Sequence, residues 1–207
     1  MSVFCLLWLP MIYFFRRSIS DRKTGMGWLA LLFGCAAVLI RYFTGPFVTP
    51  AGFGLSCWLS GFIDIISLPV LVPFAVCVML IALRYFPSDV DIGGFILLWL
   101  VPLNFYYSVD RSLLYSPLML VLVPLLWTAQ SLGLSFFIGC ILKYRRWYVI
   151  IPSILAAAVL PLTAATSWWA FYVQQTQIGC LFLFVSLMPA LISLIVEWSA
   201  RRIRNEE

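Results

Sequence analysis

The chain has 207 residues, 64% of them hydrophobic and 10% charged, with no histidine and a net charge of +5. Soluble domains run about half apolar and about a quarter charged, so this composition excludes an ordinary soluble fold and fits a chain held in a bilayer. The missing His excludes His general bases, His-ligated metals and Ser-His or Cys-His nucleophile pairs. The positive charge does not point to nucleic acid, because the basic residues stand at the ends of apolar runs, where a membrane explains them better.

In chain order, the first apolar run covers residues 2–15 and is followed by Arg16 and Arg17, the reverse of a signal peptide's basic start. At about 1.5 Å per residue it reaches about 21 Å, short of a hydrocarbon core of about 30 Å. Snorkelling by the two arginines shortens that gap. Further apolar runs cover residues 28–43, 53–83, 92–107, 117–142, 147–170 and 178–198. They lack the alternation of barrel strands, so helices are expected in each. The expected fold is all-α: a polytopic helical bundle of about seven transmembrane helices, forming one integral membrane domain over residues 1–207.

The basic residues set an expected orientation. With the N-terminus outside, the inner segments hold Arg16, Arg17, Arg22, Lys23, Arg84, Lys143, Arg145, Arg146, Arg201, Arg202 and Arg204, leaving Arg41 and Arg111 outside. Cytoplasmic loops collect Lys and Arg, so the expectation is a cell (inner) membrane protein with its C-terminus in the cytoplasm. Trp28, Trp58, Trp99, Trp147, Trp168, Trp169 and Trp198 fall mostly near predicted span ends, as an interfacial aromatic belt would.

The third run contains SCWLSGFIDIISLPVLVP, residues 56–73, which places an acid and two prolines in apolar surroundings. A carboxylate at the bilayer centre costs about 2.5–3.5 kcal/mol on insertion scales, so Asp64 is a functional candidate by default. Ser56, Ser60, Asp64 and Ser67 are spaced four, four and three apart, which would stack them on one helical face. Pro69 and Pro73 lack backbone donors and would free carbonyls one turn earlier, near Ile65 and Pro69. Counted from Phe53, Asp64 lies about 16 Å deep; counted from Arg84 it lies about 30 Å away, at the outer surface. The run is long for an untilted span, so a broken or re-entrant third segment is expected.

Arg41, Asp110 and Arg111 share the expected outer side with Asp64, and the bland alternative for Asp64 is an ion pair with Arg41 or Arg111. Together with Ser60, Ser67 and the glutamines 174, 175 and 177, these residues could line an outward-facing polar vestibule that binds a substrate or ion. On the inner side, SDVDIGG superficially matches the DxD of some transferases, but acids before a helix are more simply its cap. Ala30 with Gly34, and Ser131, Ser135 and Gly139, repeat every four residues as helix-contact faces do.

These features lead to an expected transport-related component, a small permease or a membrane-embedded solute-binding subunit, without a cofactor. The alternatives are a non-catalytic subunit of a larger membrane complex and an intramembrane enzyme such as a transferase. No GxGD, HExxH, GxSxG or P-loop pattern supports the enzyme. The expected partners are the lipid bilayer, an ATPase or other membrane subunit, or further copies of the chain.

Overall fold

The computed structural model describes residues 24–44, 54–85, 91–109, 117–144 and 146–206. The predicted span at residues 2–15 lies outside them, as do Asp110 and Arg111. Six helical runs follow in order: α1 Thr24–Thr44, α2 Leu55–Ala82, α3 Ile92–Val109, α4 Pro117–Tyr144, α5 Trp147–Tyr172 and α6 Thr176–Glu206. Among the described residues there is no strand. In α2, α4, α5 and α6 the apolar stretches are long enough to cross a membrane, and shorter apolar helices occupy Gly27–Phe43 and Ile92–Tyr107. This is the structure of a helical membrane protein: apolar side chains face outward as well as inward, Leu181, Ile195 and Leu155 each being about 60% exposed.

α3 is the central helix. Every residue from Ile92 to Leu100 is buried, which is possible because α3 is apolar on all its faces and is flanked by α1, α2 and α4. Asp91 stands immediately before it, and its carbonyl accepts from the Phe95 N–H at the start of the helix; Ser88 and Asp89 of the same motif lie outside the described residues. α4, α5 and α6 pack on one another as a second group. Polar side chains join them inside the apolar interior. Gln130 Nε2 donates to the Leu160 carbonyl at 3.1 Å, Thr163 and Ser186 hydroxyls lie 2.9 Å apart, and Ser167 donates to the Gly179 carbonyl at 3.0 Å. Such bonds between membrane helices contribute about 0.6 kcal/mol each on average, so they select register more than they supply stability.

α1 packs on α3 alone among the described helices; no Cα of α1 comes within 8 Å of one in α2. The pairing is close because Ala30 is fully buried and Gly34 has no side chain: a methyl there would collide with the Trp99 carbonyl oxygen and the Pro102 ring. Phe33 lies beside Trp99 and Gly34 beside Pro102, while further along Arg41 and Tyr107 reach the same residue, Asp64. The contacts advance in the same direction on both helices, so α1 and α3 run parallel and α2 returns once between them.

α2 is helical throughout, and the irregularity announced by its two prolines is a widening rather than an interruption. Leu55–Gly61 and Val72–Ala82 are α-helical, whereas Phe62–Leu71 is π-helical. At its end the Val72 N–H donates to the Ser67 carbonyl, five residues back. Within the wider turn the angular spacing of side chains changes, so Ser67 no longer falls on the face of Asp64. Ser60 and Asp64 are buried, Ser67 is half-buried and Ser56 is exposed.

Gly61 of α2 meets α5 so closely that a Cβ would enter the Trp168 ring, whereas nothing lies within 4 Å of one at Gly139. Of the two small-residue rows, Ala30 and Gly34 are therefore packed, but Gly139 is not. Gly61→Val is expected to destabilise the protein by about 1–3 kcal/mol through overpacking, with Gly139→Val within about 0.5 kcal/mol of wild type. Thermal unfolding in one detergent, followed by tryptophan fluorescence, measures both.

Candidate functional site

Asp64 lies in the π-helical part of α2 and is 1% exposed; Arg41, in the last turn of α1, is 4% exposed. The Arg41 Nη1 donates to Asp64 Oδ1 at 2.8 Å. Of the two arginines expected as partners for this acid, Arg41 meets it, and Arg111 lies outside the described residues. A buried carboxylate needs such a partner, since an unpaired charge in a low-dielectric interior costs several kcal/mol. Asp64 Oδ2 is also buried and has no hydrogen-bond partner among the described residues.

The backbone of the same turn is secured from two other helices. Pro69 lacks an N–H, so the carbonyls four and five residues back, those of Ile65 and Asp64, lose a helical donor in the α and π registers respectively. Both are met by side chains. Trp127 of α4 donates its Nε1–H to the Ile65 carbonyl at 2.6 Å, and Tyr107 of α3 donates its hydroxyl to the Asp64 carbonyl at 2.9 Å. The Tyr107 and Trp127 rings pack edge to face with centroids 5.4 Å apart. The expectation that a carbonyl near Ile65 stays open for a ligand is thus corrected: the chain's own indole occupies it.

Between α1 and α2, over α3, lies a groove of about 280 Å³. Phe33, Ala36, Ala37 and Ile40 form one wall, Leu68, Pro69 and Val72 the other, and Trp99, Leu103 and Tyr107 the floor. Arg41 is the charged residue of its lining. Ser60, Ser67 and Asp64 do not line it, and neither do Gln174, Gln175 and Gln177, which stay exposed at the α5–α6 turn. The space beside the ion pair is an apolar groove with Arg41 at one end; Asp110 and Arg111, expected in the polar vestibule, lie outside the described residues. Two tryptophans assigned to the interfacial belt belong to the interior instead: Trp99 is 6% and Trp168 3% exposed, whereas Trp28 and Trp147 are 68% and 74% exposed.

Trp127 is not among the tryptophans expected at span ends. Its place well inside an apolar run was the available signal, because a buried indole N–H requires an acceptor. The fold and this centre define a helical membrane protein with a buried ion pair beside an apolar groove. Comparison with protein-family models, with curated proteins and with solved structures finds no match.

Breaking the pair from one side leaves the other charge buried. Arg41→Met or Asp64→Leu alone is expected to cost about 3–5 kcal/mol, while the double variant is expected to lose far less, since two apolar side chains of similar volume leave no charge behind. Unfolding midpoints of the three variants and wild type in the same detergent give the coupling directly.

Proposed function

We propose that the chain is a multi-pass protein of a cell membrane acting as a transport-related component, either a small permease or a membrane-embedded solute-binding subunit. It crosses the bilayer about seven times, with the N-terminus outside and the RRIRNEE tail in the cytoplasm. The single observation that carries the transport reading is the groove beside Arg41 and Asp64, which pairs a binding volume with buried charge inside a membrane helix layer. Intramembrane ionisable pairs mark solute and ion paths often enough to make this the default reading. Supporting the orientation, Arg41 turns inward onto Asp64 and so is not an exposed outer charge, which sharpens the inward bias of the remaining basic residues. The parallel course of α1 and α3 agrees with a single crossing by α2.

A second reading, a non-catalytic subunit of a larger membrane complex, draws on the pair being already formed, so that Asp64 fastens helices. The two readings separate in one experiment. Extracted in mild detergent, wild type is expected to carry a bound small molecule that Asp64→Asn retains at less than about a tenth of the wild-type level, the factor that about 1.4 kcal/mol represents. Mass spectrometry of the intact, detergent-released protein reads this. A ligand-free wild type whose partner subunits are lost on Asp64→Asn contradicts the transport reading and supports the subunit. Tags at the two ends test the orientation: accessibility of the N-terminal tag from the cytoplasm contradicts it.

A further inference from the structure

We infer that the end of the α4–α6 group at Lys143 and Arg146 is a binding site for an anionic phospholipid, its phosphate held by basic side chains and an acyl chain lying along α5. The site is separate from the groove between α1 and α2 and requires only a chain held in a bilayer. The hairpin between α4 and α5 gathers cations with no acid to meet them. Lys143 and Arg146 are exposed, and rings are their neighbours. Lys143 Nζ stands 5.4 Å from the centre of the Tyr144 ring, and Arg146 lies 5.9 Å from that of Tyr148, donating from Nη1 to its hydroxyl at 2.6 Å. Neither has an acidic partner among the described residues. From Arg111 to Val196 the sequence contains no Asp or Glu, so α4 and α5 supply no acid at all. The bases of α6 come to the same level. Gly133 of α4 meets Pro189 of α6, where a Cβ would lie 3.3 Å from the proline Cβ. α4 and α6 run parallel, since α5 is antiparallel to both, Gln130 meeting Leu160, Thr163 meeting Ser186 and Ser167 meeting Gly179. Eleven residues past the Gly133–Pro189 contact, Tyr144 ends α4 and Ala200 precedes Arg201, Arg202 and Arg204 on α6. Among the described residues, five bases at this end of the group stand against two acids, Glu197 and Glu206.

Charge and depth together select the occupant. A surplus of positive charge at the head of apolar helices attracts the phosphates of anionic lipids, and the attraction acts within about one Debye length of the surface. Tyr144, Trp147 and Tyr148 are exposed beside the cations, as rings settled at headgroup level are. A soluble polyanion would meet the charge but leave uncovered what lies below it. Beneath Tyr148, the exposed side chains of Ile151, Leu155, Val159 and Leu162 follow at steps of three or four residues and make one apolar face of α5. Tyr148 to Val159 rises about 16 Å, the depth of one leaflet of a core of about 30 Å. A molecule with a negative head and an apolar chain of that length meets both features. A zwitterionic lipid meets them less well, because its ammonium returns a cation to the cluster.

The test uses the full-length protein in mild detergent, freed of lipid by detergent exchange. Dioleoyl phosphatidylglycerol or dioleoyl phosphatidylcholine is titrated in, and mass spectrometry of the intact protein counts the lipid bound. Phosphatidylglycerol is expected to bind about tenfold or more tighter, and the double variant Lys143→Gln with Arg146→Gln is expected to lose that preference. Both side chains are exposed, so the variant keeps its fold, which an unchanged unfolding midpoint verifies. The charge-conserving double variant Lys143→Arg with Arg146→Lys is expected to retain the preference, as is Arg84→Gln, which removes a base following α2. Dihexanoyl phosphatidylglycerol, with the same head and short chains, is expected to bind more weakly than the dioleoyl lipid. Equal binding of the two dioleoyl lipids, a preference that survives the loss of both charges, or one that falls as far in Arg84→Gln overturns the inference. So does a short-chain lipid that binds as tightly, and so does displacement of the lipid by inorganic phosphate or by a short DNA duplex.

Discussion

A carboxylate placed among apolar helices must be neutralised where it stands, and the arrangement of the first three described helices answers that demand. Asp64 is met by Arg41 from α1, and the backbone around it by Tyr107 from α3 and Trp127 from α4. Each contact comes from a different helix, so the turn of α2 that holds Asp64 is where four elements converge. The pair spans a gap rather than a packed interface, because α1 and α2 are joined across the groove without approach of their backbones. Removing the acid would not simply delete one hydrogen bond; it would leave a cation inside and a groove without its polar end.

The widened turn explains why this is possible at that position. Pro69 withholds a backbone donor, and a π-helical segment redistributes the loss onto two carbonyls that side chains can reach. Trp127 and Tyr107 then occupy these carbonyls and pack against each other, which fixes the floor beneath the ion pair. Local irregularity in α2, aromatic donors on α3 and α4, and a basic residue on α1 thus form one arrangement. The second group of helices, α4 to α6, is held differently, by close approach at Gly133 and by scattered hydroxyl and amide bonds. It contributes rigidity on one side, while α1 rests on a single neighbour.

Much of the architecture is legible in the chain because long apolar runs in a bilayer have one solution, the helix. Ala30 and Gly34 were readable as a contact face from their spacing, and the structure presses that face against Trp99 and Pro102. Asp64 stood out because it is the acid of an apolar run, and Arg41 was one of two bases named beside it. The details that escaped depend on tertiary contacts. A four-residue spacing assumes 3.6 residues per turn, so the π-helical segment moved Ser67 off the face predicted for it. Trp168 sits near a span end in sequence yet is buried against Gly61 of α2, which no count along the chain reveals; Trp99, in the middle of residues 92–107, is covered by α1. Trp127 was overlooked for the opposite reason: its role depends on a carbonyl exposed by a proline 58 positions earlier, at Pro69.

The Arg41–Asp64 pair holds α1 at a set distance from α2 across an apolar groove. The most direct measurement is the distribution of distances between spin labels at Leu39 of α1 and Leu59 of α2, both exposed, in the protein with its native cysteines replaced. One narrow distance is expected in the background with the pair intact, and a broadened or shifted distribution in Arg41→Met. A distribution that is already broad with the pair present, or that does not change when Arg41 is replaced, would contradict it.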